Sequence, residues 1–370
     1  MRAKLFPPRS TKTLRHFSSG EAAALIGVTD AYLRQLSLAG QGPQPKTGIR
    51  GRRSYSLAQV NALRRFLSAS ERRSYEPHRT EGEALQVLAI TNFKGGSGKT
   101  TTAAHLAQYL ALRGYRVLAI DLDPQSSLSA LFGIQPEADL EENDTLYAAL
   151  RYDAQRRPLR EVSADLFRRP RPSPCQPRAA GVRARHTPHP GSWRALNGQP
   201  LLHPHRRGAG ERGRELRRGG DRLPAAARLP DSRRALRRDG VIVTIHPQML
   251  DVASMGQFLF MTSDLLEVVR HGGGTLDYRF LRYLVTRYEP QDGPQTQVVG
   301  FLRTLFGERV LTNAMLKSTA VSDAGLTKQT LYEIGRQGGA KGSYARALEA
   351  LDAVNLEIEQ LIRRGWGRTA

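Results

Sequence analysis

Residues 86–125 read QVLAITNFKGGSGKTTTAAHLAQYLALRGYRVLAIDLDPQ. The apolar run QVLAITNF meets a glycine loop, KGGSGKT; the following TTAAHLAQYLALRGY repeats its apolar positions at helical spacing, and RVLAIDLDP is a second apolar run closed by turn residues. Strand, glycine loop, helix, strand is a βαβ unit, which predicts an α/β fold with a mostly parallel sheet and helices on its faces.

The loop carries chemistry. Glycines 95, 96 and 98 permit positive φ and let backbone N–H groups approach a phosphate with no Cβ in the way. The helix beginning near Thr100 adds unpaired N–H groups and partial positive charge. Lys99 is placed to reach β- and γ-phosphates, and the Thr100 hydroxyl to ligate Mg²⁺. Lys94, Gly95, Gly96, Ser97, Gly98, Lys99, Thr100 and Thr101 are therefore the expected nucleotide site. The second strand ends in Asp121-Leu122-Asp123-Pro124-Gln125. Two carboxylates beside a phosphate loop can serve Mg²⁺ and water, because phosphoryl transfer mainly needs positioning and charge neutralisation. Away from such a loop the same residues would read as a capped turn.

Working outward, residues 241–370 resume the α/β pattern with the apolar runs VIVTIH and LRYLVTRY, and residues 85–370 read as one nucleotide-binding domain. His246, at the end of the first of these runs, reads as a structural histidine near the expected pocket. Residues 163–240 break the pattern: they hold 10 Pro and no Lys, Ile or Tyr, with neither strand nor helix periodicity. The same segment has 19 Arg against 6 acidic residues, a net of +13, so only +9 of the chain's +22 lies elsewhere. Global charge is thus weaker support for nucleic-acid binding than its size suggests.

Towards the N-terminus, residues 71–84 are a polar linker and residues 1–17 a basic arm without the apolar centre of a secretory signal. Residues 18–70 form a small helical domain. Within it SGEAAALIGVTDAYLRQLSL has helix-turn-helix spacing, with Gly27 at the bend and Thr29 capping the second helix. From that cap and helix Thr29, Tyr32, Arg34 and Gln35 are the candidate DNA contacts, and the basic stretch that follows contributes Lys46, Arg50, Arg52 and Arg53 as a wing, in a MerR-like winged arrangement. A helical hairpin used for dimerisation is the bland alternative. Arg282, Arg287, Lys317 and Lys328 are candidates for a nonspecific DNA face or a solvated basic surface. No stretch is apolar enough to span a membrane, and the single Cys175 excludes a disulfide framework, which fits a reducing cytoplasm.

The usual phosphate-loop pattern would put glycine at 93, where this chain has Phe93, and it has Lys94 beside two glycines instead. In this the chain resembles the deviant Walker A ATPases that include ParA, MinD and the nitrogenase iron protein. The later runs VIVTIHPQMLDVASM and VLTNAMLKSTAVSDAGLTKQTLYEIG are similar to the partition ATPases, particularly the RepA proteins of repABC-type plasmids. The resemblance implies ATP and Mg²⁺ as ligands and a nucleotide-dependent sandwich homodimer in which Lys94 reaches the partner's ATP. It further implies Asp123 orienting the attacking water and Asp121 supporting the Mg²⁺ shell, so that Lys94, Lys99 and Asp123 are the catalytic group. Implied partners are operator and nonspecific DNA and a centromere-binding protein of the ParB/RepB type; the implied location is the cytoplasm, on the nucleoid. A MinD-like membrane cycle would want a basic amphipathic C-terminal helix, and NLEIEQLIRRGWGRTA is short and mixed. A nitrogenase-like cluster would need more than one cysteine.

The family also has a Walker B strand ending in Asp-x-Pro-Pro beside the phosphate-loop strand, and the chain as written has none. Either 163–240 is a true linker or insertion, or two compensating frameshifts replaced the middle of the domain. Re-reading residues 217–231, RRGGDRLPAAARLPD, one frame over with permitted codons yields DVVVIDCPPQLGFL. On the frameshift account a sheet without its middle is expected not to bury its core, which leaves a DNA-binding regulator with a dead ATPase as the alternative function.

Overall fold

The computed structural model describes residues 14–48, 51–71, 73–77, 79–92, 94–134, 145–150, 155–157, 178–181, 239–249, 256, 260, 278–335 and 341–368. The basic arm up to residue 13, Arg50, Phe93, Cys175 and all of 163–240 except 178–181 and 239–240 lie outside the described residues.

The N-terminal part runs Phe17–Ser18 (β1), Ser19–Ile26 (α1), Asp30–Leu38 (α2), Lys46–Thr47 (β2), Arg53–Tyr55 (β3) and Leu57–Ser70 (α3). Its helices start where their sequences supply caps. Ser18 and Glu21 form a capping box on α1, and Ser56 and Gln59 form one on α3. Gly27 ends α1 with φ of 88°, a left-handed conformation that glycine adopts without a Cβ penalty. The three short strands pair antiparallel in the order β1-β3-β2, and Leu33, Tyr55, Leu63 and Leu67 are buried between them and the helices.

The second part comprises Leu88–Thr91 (β4), Lys99–Arg113 (α4), Leu118–Asp121 (β5), Ser127–Leu131 (α5), Tyr147–Leu150 (α6), Arg178–Gly181 (β6), Gly240–Ile245 (β7) and Phe280–Val285 (β8). It continues through Gly293–Phe306 (α7), Thr319–Leu326 (α8), Leu331–Ile334 (α9) and Lys341–Gly365 (α10). Strands β4, β7 and β8 form a parallel sheet in that order, and β5 pairs in parallel with β6. Gly240 opens the central strand because nothing larger fits: a Cβ there would lie 2.3 Å from Phe280 and 2.7 Å from Leu88.

β7 lies beside the phosphate-loop strand β4, is buried along its whole length, and has apolar clusters on both faces. The β7–β8 side of the sheet buries a core because Val241, Ile242, Val243 and Ile245 are apolar on both faces, as a central parallel strand requires, while the segment expected to hold the missing strand lies almost wholly outside the described residues. The deficit falls elsewhere. Among the described residues β4 has a hydrogen-bonded neighbour on one edge only and is half-buried, and β5 leaves Leu118 46% and Ile120 36% exposed.

The two parts pack into one apolar cluster, and a buried arginine joins them. Arg64 of α3 is 2% exposed. Its guanidinium donates to Leu25 O in the last turn of α1 at 2.5 Å, to Leu112 O in the last turn of α4 at 2.7 Å, and to Asn61 Oδ1. Both carbonyls belong to helix C-termini, where the backbone dipoles favour a cation. Removing the guanidinium leaves those acceptors buried and unsatisfied, so Arg64→Met is expected to lower stability by about 2–4 kcal/mol. Chemical denaturation of the full chain measures this, and an unchanged midpoint would refute it.

Candidate nucleotide-binding site

The glycine loop sits at the C-terminal end of β4 and feeds directly into α4. Gly96 (φ 75°) and Gly98 (φ 85°) are both left-handed, and Gly98 is the N-cap of α4, where it offers no side chain to the first-turn N–H groups. Those groups face the loop, which is the arrangement an anion requires. A Cβ at Gly95 would meet nothing within 4 Å, and at Gly96 only Arg287 Nη1 at 3.8 Å, so the outer side of the loop is open.

Two neighbouring strands hold the loop's shape. Ser97 is buried; its hydroxyl accepts from Thr244 Oγ1 at 3.1 Å, and its carbonyl accepts from Thr286 Oγ1 at 2.9 Å. Asn92 donates to Thr244 O and accepts from Lys94 N at 2.9 Å. Thr286 also packs against Gly98 so closely that a Cβ would come within 3.3 Å. Lys99 folds its ammonium back onto Lys94 O at 2.9 Å.

Behind the loop α4 is anchored by His105. Its Nδ1 lies 2.8 Å from Thr101 O, and its Nε2 accepts from Leu331 N at 3.3 Å, which fixes a neutral imidazole with the proton on Nδ1. Burial pushes this histidine down to about 4, against a partial opposing effect from Thr101 O.

Asp121 and Asp123 take up different environments. Asp121 is buried, which raises its carboxyl above the usual range, and its oxygens accept from Ser129 N at 2.9 Å, Ser129 Oγ at 3.0 Å and Asp123 N at 3.1 Å. It is thus engaged in capping the turn into α5. Asp123 is half-buried and accepts from Gln125 N at 2.9 Å. His246, at the end of β7, is lowered by burial first and then by the charges of Arg287, Lys94 and Lys317.

In the N-terminal part the candidate DNA contacts separate. Arg34 and Gln35 are exposed on α2, with Arg34 paired to Asp30 at 2.6 Å. Thr29 caps α2 by accepting from Tyr32 N at 3.2 Å, while the Tyr32 phenol turns towards Glu71 at 2.7 Å and not outward with Arg34. Lys46 and Arg52 are exposed on the β2–β3 hairpin and Arg53 is half-buried. Sequence inspection missed Asn92, Thr244 and Thr286 as loop supports and left Arg287 open between a DNA face and a solvated basic surface. The available signal was their place at the C-terminal ends of parallel strands, where α/β sheets hold ligands.

The profile of the CobQ/CobB/MinD/ParA nucleotide binding domain matches residues 88–331. The chain belongs to that family. This ParA-type chain is 48% identical over 380 residues to a protein described as a replication protein A in Sinorhizobium fredii, an alignment covering 98% of this chain and 90% of the relative. It is 27% identical over 384 residues to protein SopA of Escherichia coli, covering 97% and 92%. A solved structure titled as a partition protein superposes with a TM-score of 0.50 at 14% identity over 95% of this chain and 94% of the other, which shows the shared fold. Within the family the chain falls among the ParA- and SopA-like partition ATPases.

The histidine behind the loop gives a pH prediction. An unfolded histidine titrates near 6.5 and the buried one near 4, so the unfolded chain takes up a proton that the fold refuses. This penalty is absent above about 6.5 and grows as pH falls towards 4, reaching on the order of 3 kcal/mol. His105→Gln keeps a donor and an acceptor without a titrating proton. The stability advantage of the parent over this variant is expected to shrink between pH 7 and pH 5 in paired melting curves, and a pH-independent difference would contradict the assignment.

Proposed function

We propose that this chain is a plasmid-partitioning ATPase that binds ATP with Mg²⁺, closes a homodimer, coats DNA and represses its own operon. The observation that carries the reading is the open glycine loop at a helix N-terminus, braced by Thr244 and Thr286 and flanked by Lys94 and Lys99. The residues fit a nucleoside triphosphate. The loop amides would cradle the α- and β-phosphates, Lys99 would turn from Lys94 O to the β- and γ-phosphates, and the Thr100 hydroxyl would hold the metal. Mg²⁺, when bound, supplies charge neutralisation on the phosphate oxygens.

Asp123, half-exposed beyond β5, is the residue proposed to orient water, and Asp121, already engaged by Ser129, would support the metal shell through that fixed geometry. Lys94 would reach the partner's nucleotide in the dimer. Arg34 and Gln35 on α2, with Arg52 on the hairpin, would contact operator DNA, Thr29 and Tyr32 setting the helix's start and tilt. Arg53 would support the hairpin. A centromere-bound protein of the ParB/RepB type would complete the site and trigger turnover on DNA in the cytoplasm. No helix of the described residues is long and apolar enough to cross a membrane.

A second reading has its own support. Among the described residues the strand paired with β4 is β7, followed by His246, with no carboxylate at its end for the metal or water. That favours a DNA-binding regulator whose nucleotide domain does not turn over. DNA-stimulated ATP turnover of the full chain separates the two. The ATPase reading predicts turnover that falls about a hundredfold or more in Lys99→Ala, the usual cost of losing one preorganised charge-stabilising group. Operator retention that survives with no turnover in the parent chain would establish the regulator.

A further inference from the structure

Arg287 was a candidate for a basic DNA surface, and the structure puts it on the phosphate loop. It follows the end of β8 and has a left-handed backbone, φ of 53°, although it carries a Cβ. Non-glycine residues rarely hold that conformation, and its surroundings impose it here. On one side Thr286 donates to Ser97 O at 2.9 Å and its N–H to Ile245 O at 2.8 Å. On the other, Tyr288 N donates to Met315 O at 3.0 Å and Lys317 N to Tyr288 O at 3.0 Å. Pinned at both ends, the backbone turns the guanidinium over the loop, with Nη1 3.4 Å from Gly96 O.

The charge around this point is one-sided. Lys94, Arg287 and Lys317 all act on His246, and Glu289, bonded to Lys317 at 2.8 Å, is the carboxylate opposing them. Positive charge near the loop favours an anion there. A guanidinium has five N–H donors in a planar fork, and one long contact to a carbonyl leaves geometry for a phosphate.

Resting on the ATP-site reading above, we infer that Arg287 is a nucleotide-binding residue that locks the loop through Gly96 O and donates to the phosphates the loop cradles. Because its guanidinium contacts the loop backbone at Gly96 O, it acts on the α- and β-phosphates that the loop amides cradle and that ATP and ADP share. Its loss weakens both nucleotides alike.

The test uses Arg287→Gly in the full chain, since glycine takes the left-handed backbone without penalty and the variant keeps or gains stability. Calorimetric titration with Mg-ATP and with Mg-ADP is expected to show both affinities falling about tenfold or more, with Arg287→Lys between the variant and the parent. Unchanged nucleotide affinity, a loss confined to ATP, or a loss of DNA retention alone would overturn this assignment while leaving the ATP site standing. If the parent chain binds neither nucleotide, the ATP-site reading falls and takes this one with it.

Discussion

Ser97 is held from two directions, its hydroxyl by Thr244 on β7 and its carbonyl by Thr286 after β8. The rest of the site depends on this double tether. A glycine-rich loop with φ of 75° at Gly96 and 85° at Gly98 has many conformations open to it, and ordering it only when a ligand arrives would subtract from affinity. Here strand ends fix the loop beforehand, and those strands are themselves fixed by the buried apolar faces of β7 and β8. The nucleotide site thus inherits its rigidity from the hydrophobic core.

Helix α4 extends that rigidity across the molecule. Its first turn borders the loop, its middle is fastened by His105 to Leu331 N, and Tyr109 and Arg113 bond Glu359 of α10 at 3.2 and 3.3 Å. Its last turn meets Arg64 from the N-terminal part. Gly114, at φ of 100°, lets the chain leave the helix where Arg64 and Pro77 stand 3.0–3.2 Å from a would-be Cβ. The loop and the small helical part are therefore attached to opposite ends of one helix.

Much of this was legible in local sequence. The strand-loop-helix-strand order of 86–125, the caps at Thr29 and Gly27, and the phosphate loop depend on neighbours within a few residues, where propensity and turn chemistry act directly. What sequence missed depends on partners far along the chain. That Tyr32 faces Glu71, that Arg287 bends onto Gly96, and that Thr244 and Thr286 brace Ser97 follow from sheet order, which no local pattern encodes. The carboxylate pair divides the same way. Their place beside the phosphate loop makes Asp121 and Asp123 a candidate pair, yet burial commits Asp121 to Ser129, and only the folded turn shows it. The segment 163–240 differs again: its composition has no period from which to read an element, and nearly all of it lies outside the described residues.

The central claim is that the backbone amides between Lys94 and Thr101 hold a triphosphate's tail. Hydrogen exchange of the full chain read by mass spectrometry, with and without Mg-ATP, tests it most directly. The account predicts strong slowing in peptides spanning 92–105 and 284–290 once Mg-ATP is added. Exchange that stays the same in both peptides at saturating nucleotide would contradict it.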